Sequence, residues 1–298
     1  MEVGFIGLGK MGANMVLRLL GGGHRVVGYS LEYDRSLGIE EAGGEVVSSI
    51  EAMLEKIATP RAIWLMVPAG EAVDATIDLL LPKLQAGDVL IDGGNSLYKD
   101  SVRRWERLSA QQIEYVDCGT SGGVWGLQQG YCLMVGATNE AFARIEPLLK
   151  TLAPVDGYLH AGPSGAGHYA KMIHNGIEYG LMQAYAEGFD VLANAPYDFD
   201  LAKLTHLWNQ GAVIRSWLLE LVERMFANDP KLDLLEGYVR DSGSGRWTVQ
   251  EALDRDVPTP AITAALQVRI RSRRENTFSD RFLAALRNQF GGHEVKKR

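Results

Sequence analysis

The first half of the chain alternates short apolar runs with longer amphipathic stretches. Runs typical of buried strands lie at residues 3–6, 25–29, 62–67, 88–92, 115–117 and 131–135, and the first is followed by a helical pattern at residues 11–20. Strands that alternate with helices are typical of a mostly parallel sheet covered by helices on both faces. The pattern therefore predicts a doubly wound α/β N-terminal domain.

The pattern changes near residue 160. A turn-rich segment at residues 161–165 precedes helical stretches at residues 168–193, 201–226, 248–253, 259–274 and 280–290, with no convincing strand pattern after it. We predict a dinucleotide-binding domain at residues 1–163 and an all-α domain for substrate binding and oligomerisation at residues 164–298. The main cleft is expected between these two domains.

Composition and charge exclude several classes of protein. The 298 residues are 46% hydrophobic and 22% charged, as in ordinary globular proteins, and the net charge of −7 disfavours a broad nucleic-acid surface. The sequence contains neither an apolar run long enough to cross a bilayer nor a basic N-terminal secretory signal. We expect a cytoplasmic protein that binds neither nucleic acid nor membranes.

The two cysteines, Cys118 and Cys132, stand in no metal-binding spacing. We expect two buried, reduced thiols and no bound metal.

A glycine-rich turn connects the first predicted strand to the first helix. Its glycines permit a tight turn and close approach of the backbone to a pyrophosphate, and the helix N-terminus offers amide donors. The alternative is a tight packing turn without a ligand. Because a strand, a helix and a second strand surround it, the motif favours a Rossmann-like domain in which the cofactor is contacted by Gly7, Leu8, Gly9, Met11 and Gly12.

The end of the second predicted strand bears on the choice of cofactor. An acid here binds the ribose hydroxyls of NAD, whereas an arginine often binds the extra phosphate of NADP. The sequence offers Ser30, Leu31 and Glu32, and Leu31 cannot bind a phosphate. We expect NAD to be favoured, while Arg35 leaves NADP possible and Glu32 has the alternative of being an exposed loop charge.

The helix predicted from residue 168 carries the most informative cluster. At 100° per residue, four side chains fall within about 100° on one helix face; they are Lys171, His174, Asn175 and Glu178. A lysine, a histidine, an amide and a carboxylate suit proton transfer and substrate orientation. The alternative is a solvated face with ion pairs, but the helix begins where the cofactor domain ends, which favours catalysis.

Six segments together resemble the 6-phosphogluconate dehydrogenases, within the wider β-hydroxyacid dehydrogenases. The segments are residues 7–12, 91–96, 119–123, 171–179, 243–248 and 290–293. The length is similar to the short bacterial form of that family. The resemblance departs at Ser242, where the long form has a lysine, and at residues 30–32, where NADP-using members typically have Asn-Arg-Thr.

The resemblance implies oxidative decarboxylation of 6-phospho-D-gluconate to D-ribulose 5-phosphate and CO2, with reduction of NAD(P). In the family's scheme the residue matching Lys171 takes the proton of the C3 hydroxyl while hydride leaves C3. After CO2 is lost, the residue matching Glu178 donates a proton to C1 of the enediol.

The resemblance also implies the binding residues and the assembly. Cofactor contacts are expected from Val67, Pro68, Ala69 and Asn95. Substrate contacts are expected from Asn95, Ser121, Gly122, Gly123, His174 and Asn175, with phosphate ligands Tyr179, Arg269 and, from a second subunit, Arg287; His293 is expected to enter the partner's site. These expectations describe a homo-oligomer, a dimer or a dimer-built tetramer, with shared active sites.

Two other functions stay open at this point. One is another β-hydroxyacid dehydrogenase such as 3-hydroxyisobutyrate dehydrogenase, but simple oxidation needs neither an acid like Glu178 nor the pair Arg269 and Arg287. The other is a non-catalytic nicotinamide-binding protein, which has no need of both Lys171 and Glu178.

Overall fold

A computed structural model describes residues 1–31, 37–291 and 294–296. The chain divides into two compact units, residues 1–174 and residues 175–298. The domain boundary after residue 163 stays a prediction.

The first unit is built on one sheet. In the described part of the chain its eight strands are β1 Glu2–Ile6, β2 Arg25–Tyr29, β3 Glu45–Val47, β4 Ala62–Leu65, β5 Val89–Asp92, β6 Glu114–Ser121, β7 Cys132–Gly136 and β8 Tyr158–Gly162. The strand order is β3-β2-β1-β4-β5-β6-β7-β8, and only β6 and β7 pair antiparallel. The predicted mostly parallel sheet is confirmed.

Two strands lie outside the predicted set. β3 has three residues, too few for a recognisable apolar run. β8 overlaps the predicted turn-rich segment only at residues 161 and 162; two of its five residues are exposed and three are half-buried, so this edge strand forms no continuous apolar stretch.

Helices cover both faces of the sheet. In the first unit they are α1 Lys10–Gly21, α2 Leu37–Glu41, α3 Ile50–Lys56, α4 Glu71–Leu80, α5 Tyr98–Ser109, α6 Gly126–Gln129 and α7 Asn139–Leu152. Consecutive strand residues point to opposite faces, so Phe5 belongs to the core formed with α1 and α7 while Ile6 belongs to the core formed with α3 and α4. This two-faced burial is typical of a doubly wound fold.

A long helix, α8 Ala166–Ala193, begins in the first unit and its residues from Asn175 onward belong to the second. The other helices of the second unit are α9 Leu201–Asn209, α10 Trp217–Asn228, α11 Ser244–Asp254, α12 Pro260–Arg271 and α13 Phe278–Gly291. The predicted all-α character is confirmed. None of the helices in the described ranges is long and apolar enough to span a membrane.

The single helix predicted over residues 201–226 is wrong, because two helices occupy that stretch. Gly211 has φ +111°, a conformation that ends a helix, and the Ser216 hydroxyl accepts from Leu219 N at 3.0 Å to cap the start of α10.

The prediction of two buried thiols is half wrong. Cys118 is fully buried, and burial raises the pKa of its thiol, whereas Cys132 is exposed. Cys132 begins β7, where exposed and buried side chains alternate, and its place in that alternation points outward. Over the ranges that the structure describes, no three His, Cys, Asp or Glu side chains gather to hold a metal ion.

Candidate active site

The glycine-rich turn leaves no room for larger residues. Gly7 has φ +99°, and a Cβ built on it would lie 2.4 Å from the Met66 carbonyl oxygen. A Cβ on Gly12 would lie 2.0 Å from the Gly7 carbonyl oxygen. The first turn of α1 therefore begins directly against the end of β1, with Gly9 as its N-cap. This is the geometry that places backbone amides against a pyrophosphate.

The other predicted cofactor residues follow the carboxyl ends of neighbouring parallel strands. Ser30 and Leu31 follow β2, residues 67–69 follow β4, and Asn95 lies three residues after β5. β2 and β4 flank β1 and β5 pairs with β4, all in parallel, so the carboxyl ends of these strands meet at one edge of the sheet. Ligands of open α/β sheets bind at such an edge. Leu31 is 93% exposed, and Glu32 and Arg35 lie outside the described residues.

Asp92, which no sequence motif marks as functional, organises the loop that carries Asn95. It is 1% exposed and accepts hydrogen bonds from the Ser96 hydroxyl at 2.7 Å, the Tyr115 hydroxyl at 3.0 Å and the Gly94 amide at 3.2 Å. Burial, together with the Asp92 charge, raises the pKa of Tyr115 well above its usual value. The sequence feature that could have pointed to Asp92 is an acidic residue at the end of an otherwise fully apolar strand.

Arg104 joins this loop to the one after β4. Its side chain is 1% exposed and donates to Gly70 O at 3.0 Å and, more weakly, to Asp92 at 3.4 Å. Its Nε donates to Asp74 at 2.8 Å, and this hydrogen bond lowers the pKa of Asp74 to about 2. One buried guanidinium thus holds two loops at the cofactor edge of the sheet.

Asp74→Asn is expected to lower the free energy of unfolding by about 1–2 kcal/mol at neutral pH, allowing for partial solvent screening. The pKa of Asp74 is lowered from 3.8 to about 2, so its contribution is complete above about pH 4 and is lost as pH falls towards 2. Urea unfolding of the wild-type protein and of Asp74→Asn measures this effect: the difference between their free energies of unfolding should be smaller at about pH 3 than at about pH 7.

Asp78→Asn is the matched control, because Asp78 also lies on α4 and pairs with an α5 arginine. That pair, Asp78 with Arg107 at 2.6 Å, is largely exposed and should contribute less than about 0.5 kcal/mol. Equal losses in the two variants, or a loss that does not shrink in acid, would contradict the prediction.

Two glycines let α8 contact the sheet directly. A Cβ on Gly119 of β6 would lie 2.4 Å from Lys171 Cβ, and one on Gly167 would lie 2.4 Å from Met134 O. Asp117 accepts from the Gly165 and His168 amides at 2.5 and 2.8 Å and so caps the start of α8, and its burial raises its pKa. Lys171 is consequently 4% exposed and closely packed.

Three predicted site residues of the first unit form a hydrogen-bonded chain. Lys171 Nζ lies 3.3 Å from His174 Nδ1, and His174 Nε2 lies 3.3 Å from Ser121 Oγ. A neutral imidazole accepts from the ammonium through Nδ1 and donates to the serine through Nε2. Gly122 and Gly123 follow with φ +130° and +55°, turning the chain away after Ser121. The arrangement can orient an acid or hydroxyl group and hold a proton.

The second unit gathers a different set of predicted residues. Asn175 Nδ2 donates to Ser244 Oγ at 3.1 Å, and the buried Tyr179 has its hydroxyl 3.3 Å from Ser242 Oγ. The Arg269 guanidinium lies 3.6 Å from the centre of the Tyr179 ring. Stacking occupies the face of the guanidinium and leaves the in-plane N–H donors suited to a phosphate.

Three further predicted site residues lie outside these two hydrogen-bonded groups. Glu178 is half-buried on α8, and Arg287 is exposed on α13. His293 lies outside the described residues.

A glycine-rich turn at the edge of a parallel sheet, followed along the chain by a lysine-bearing helix and further helices, is typical of nicotinamide-dependent hydroxyacid dehydrogenases. Residues 2–162 match the family described as the NAD binding domain of 6-phosphogluconate dehydrogenase, and residues 167–287 match its C-terminal domain. The chain belongs to the 6-phosphogluconate dehydrogenase family, which confirms the resemblance seen in the sequence.

Individual relatives agree with this assignment. A Haloferax volcanii protein named 6-phosphogluconate dehydrogenase, NAD(+)-dependent, decarboxylating, is 47% identical over 300 residues, covering 100% of this chain and 99% of that protein. The Plasmodium falciparum 6-phosphogluconate dehydrogenase, described in complex with its cofactor NADP+ and with its substrate 6-phosphogluconate, has a TM-score of 0.84 at 29% identity. It covers 100% of this chain, which spans 66% of the Plasmodium chain.

A 3-hydroxyisobutyrate dehydrogenase from Mycobacterium tuberculosis has a TM-score of 0.72 at 22% identity, covering 91% of this chain and 92% of that one. At this identity the similarity concerns the fold alone.

Proposed function

We propose that the chain catalyses oxidative decarboxylation of 6-phospho-D-gluconate to D-ribulose 5-phosphate and CO2, with reduction of NAD(P), in the cytoplasmic pentose phosphate pathway. The observation that carries this proposal is the buried Lys171, hydrogen-bonded through His174 to Ser121, in a member of this family. The names of the Haloferax and Plasmodium relatives support the substrate.

The glycine turn suits a nicotinamide dinucleotide, because Gly7 and Gly12 let α1 begin directly against the end of β1, where the amides at the helix N-terminus can bind a pyrophosphate. A bound nicotinamide would supply the acceptor for the hydride that leaves C3. Lys171, in its neutral form, takes the proton of the C3 hydroxyl, and His174 and Ser121 hold its amine in place. Residues 67–69 and Asn95 are proposed as further cofactor contacts.

The protein's groups also serve the two later steps. The 3-keto acid loses CO2 because its carbonyl accepts the electron pair, and the protonated Lys171 stabilises the oxygen on which negative charge develops. Glu178 is proposed to donate the proton that C1 of the enediol receives, the carbon that was C2 of the substrate. Lys171 therefore acts at the oxygen on C3, and Glu178 acts at the neighbouring carbon from which CO2 has left.

Further side chains are proposed to recognise the substrate. Asn95, Ser121, Gly122, Gly123, His174 and Asn175 would bind the carboxylate and hydroxyl groups. Tyr179 and Arg269 would bind the phosphate, since an arginine braced on an aromatic ring is already oriented for bidentate bonds.

A homo-oligomer built from dimers is proposed to complete each site, with Arg287 and His293 supplied by a second subunit. The exposed apolar side chains of α13 support an interface there: Phe278 is 71%, Phe282 53% and Leu283 56% exposed. Such a row on one helix favours burial against another chain.

The alternative functions receive no specific support. Likeness to a 3-hydroxyisobutyrate dehydrogenase extends only to the fold, and that reaction has no use for a phosphate-binding pair such as Tyr179 and Arg269. A non-catalytic binding protein has no use for a buried lysine joined to His174.

The direct test incubates the protein with 6-phosphogluconate and NAD or NADP while the near-ultraviolet absorbance of reduced nicotinamide and the release of CO2 are recorded. We expect one CO2 for each reduced cofactor. 3-Hydroxyisobutyrate serves as the comparison substrate. Reduction without CO2, or faster reaction with 3-hydroxyisobutyrate, would contradict the proposal.

NAD is expected to be preferred over NADP, because Leu31 offers no donor to a phosphate and Glu32 repels one. Leu31→Arg combined with Glu32→Thr should shift the ratio of kcat/KM toward NADP, since it adds a bidentate donor and removes the repulsion. Initial rates with both cofactors measure the shift, with Leu31→Gln as the uncharged control. A higher kcat/KM with NADP in the unmodified protein would contradict the NAD preference and implicate Arg35.

A further inference from the structure

We propose that His168 is a positioning residue, which holds the peptide leading into Asn95 against the helix that carries Lys171. The inference rests on the proposed function, because Asn95 and Lys171 have their roles there. It adds a residue to which neither the sequence nor the resemblance assigned a role.

The imidazole of His168 lies between the Gly94 carbonyl and α5. His168 is 1% exposed; its Nε2 lies 3.0 Å from Gly94 O and its Nδ1 lies 2.7 Å from Ser101 Oγ. A carbonyl oxygen only accepts, so Nε2 carries the hydrogen and donates it to Gly94. The Ser101 hydroxyl, which also lies 3.4 Å from Leu97 O, is the partner of Nδ1, so both ring nitrogens have a hydrogen-bond partner.

The backbone of His168 is anchored independently. Its amide donates to buried Asp117 at 2.8 Å, which ties this turn of α8 to β6. Lys171 follows three residues later, about one helical turn along the same face. Because the backbone is anchored, the imidazole extends from a defined point next to Lys171.

The loop receives complementary support. The Gly94 N–H donates to Asp92 at 3.2 Å, while the Gly94 carbonyl, which belongs to the peptide joining Gly94 to Asn95, accepts from His168. Asp92 alone leaves that second peptide able to rotate. The His168 hydrogen bond therefore sets the direction in which Asn95 leaves the loop.

Two amide variants separate the two hydrogen bonds of the ring. His168→Gln places an amide nitrogen at the reach of Nε2 and can keep the Gly94 contact, whereas His168→Asn reaches only as far as Nδ1 and keeps the Ser101 contact. Each loses one buried hydrogen bond, so we expect similar falls in Tm. kcat/KM for 6-phosphogluconate should fall about tenfold or more in His168→Asn and less than about threefold in His168→Gln.

A readout without substrate separates this inference from the proposed function. Hydrogen exchange of the peptide covering residues 93–97 should be faster in His168→Asn than in His168→Gln. If the wild-type protein does not oxidise 6-phosphogluconate, the proposed function fails. The difference in hydrogen exchange still shows whether the His168–Gly94 hydrogen bond holds the loop. Equal exchange in the two variants, or equal loss of kcat/KM, overturns the positioning role.

Ser101→Ala is a third test that leaves His168 in place. It removes the partner of Nδ1 while the contact to Gly94 remains, so it should lower Tm but keep kcat/KM within about threefold of wild type. A tenfold loss in Ser101→Ala would show that support from α5, rather than the Gly94 contact, governs activity.

Discussion

Lys171→Met is expected to reduce kcat for 6-phosphogluconate oxidation by about 10²–10⁴-fold, the usual contribution of a general acid–base group. Lys171 is 4% exposed, and methionine fills a similar volume without an amine. Cofactor affinity should change little, because the glycine turn at residues 7–12 and Lys171 lie on different elements. Steady-state kinetics and titration with reduced nicotinamide cofactor measure the two effects.

Lys171→Arg separates the basic function from the charge. Arginine keeps a cation near His174 but does not give up its proton in proteins, so this variant should be as inactive as Lys171→Met. Thermal unfolding of both variants controls for misfolding. Retention of more than about a tenth of kcat in either variant would remove Lys171 from the role of base.

Mixing two inactive chains is expected to restore activity. In a hybrid of a Lys171→Met chain and an Arg287→Ala chain, one site carries both defects and the other carries neither, provided that Arg287 serves the partner's site. Half of the dimers in a random equal mixture are hybrids with one intact site, so recovery should approach about a quarter of wild-type activity. Each variant alone stays inactive.

Subunit exchange must be demonstrated, by mass spectrometry of differently tagged chains after mixing. The matched control mixes Lys171→Met with Lys171→Arg, whose hybrids contain no intact site and should remain inactive. Hybrids of Lys171→Met and Arg287→Ala that form but stay inactive would show that Arg287 acts within its own chain or has no role.

Local sequence was sufficient for the elements whose signals are local. β1, β2, β4 and β5 are fully or largely buried and read as apolar runs, and the glycine turn and the long helix from residue 166 follow short-range rules. The half-exposed β8 and the break between α9 and α10 gave weaker patterns. Residues spaced along a single helix, such as Lys171 and His174, could likewise be placed together in advance.

Tertiary structure alone decided the partners of those residues. Ser121 meets His174 across a separation of 53 residues because Gly119 lets α8 contact β6, and His168 meets Gly94 across 74 residues. The buried arginine that joins the two loops depends in the same way on the order of β4 and β5. Residue type and periodicity determine which groups are available for hydrogen bonding. Because a hydrogen bond extends only about 3 Å, strand order and close packing determine which of these groups become partners.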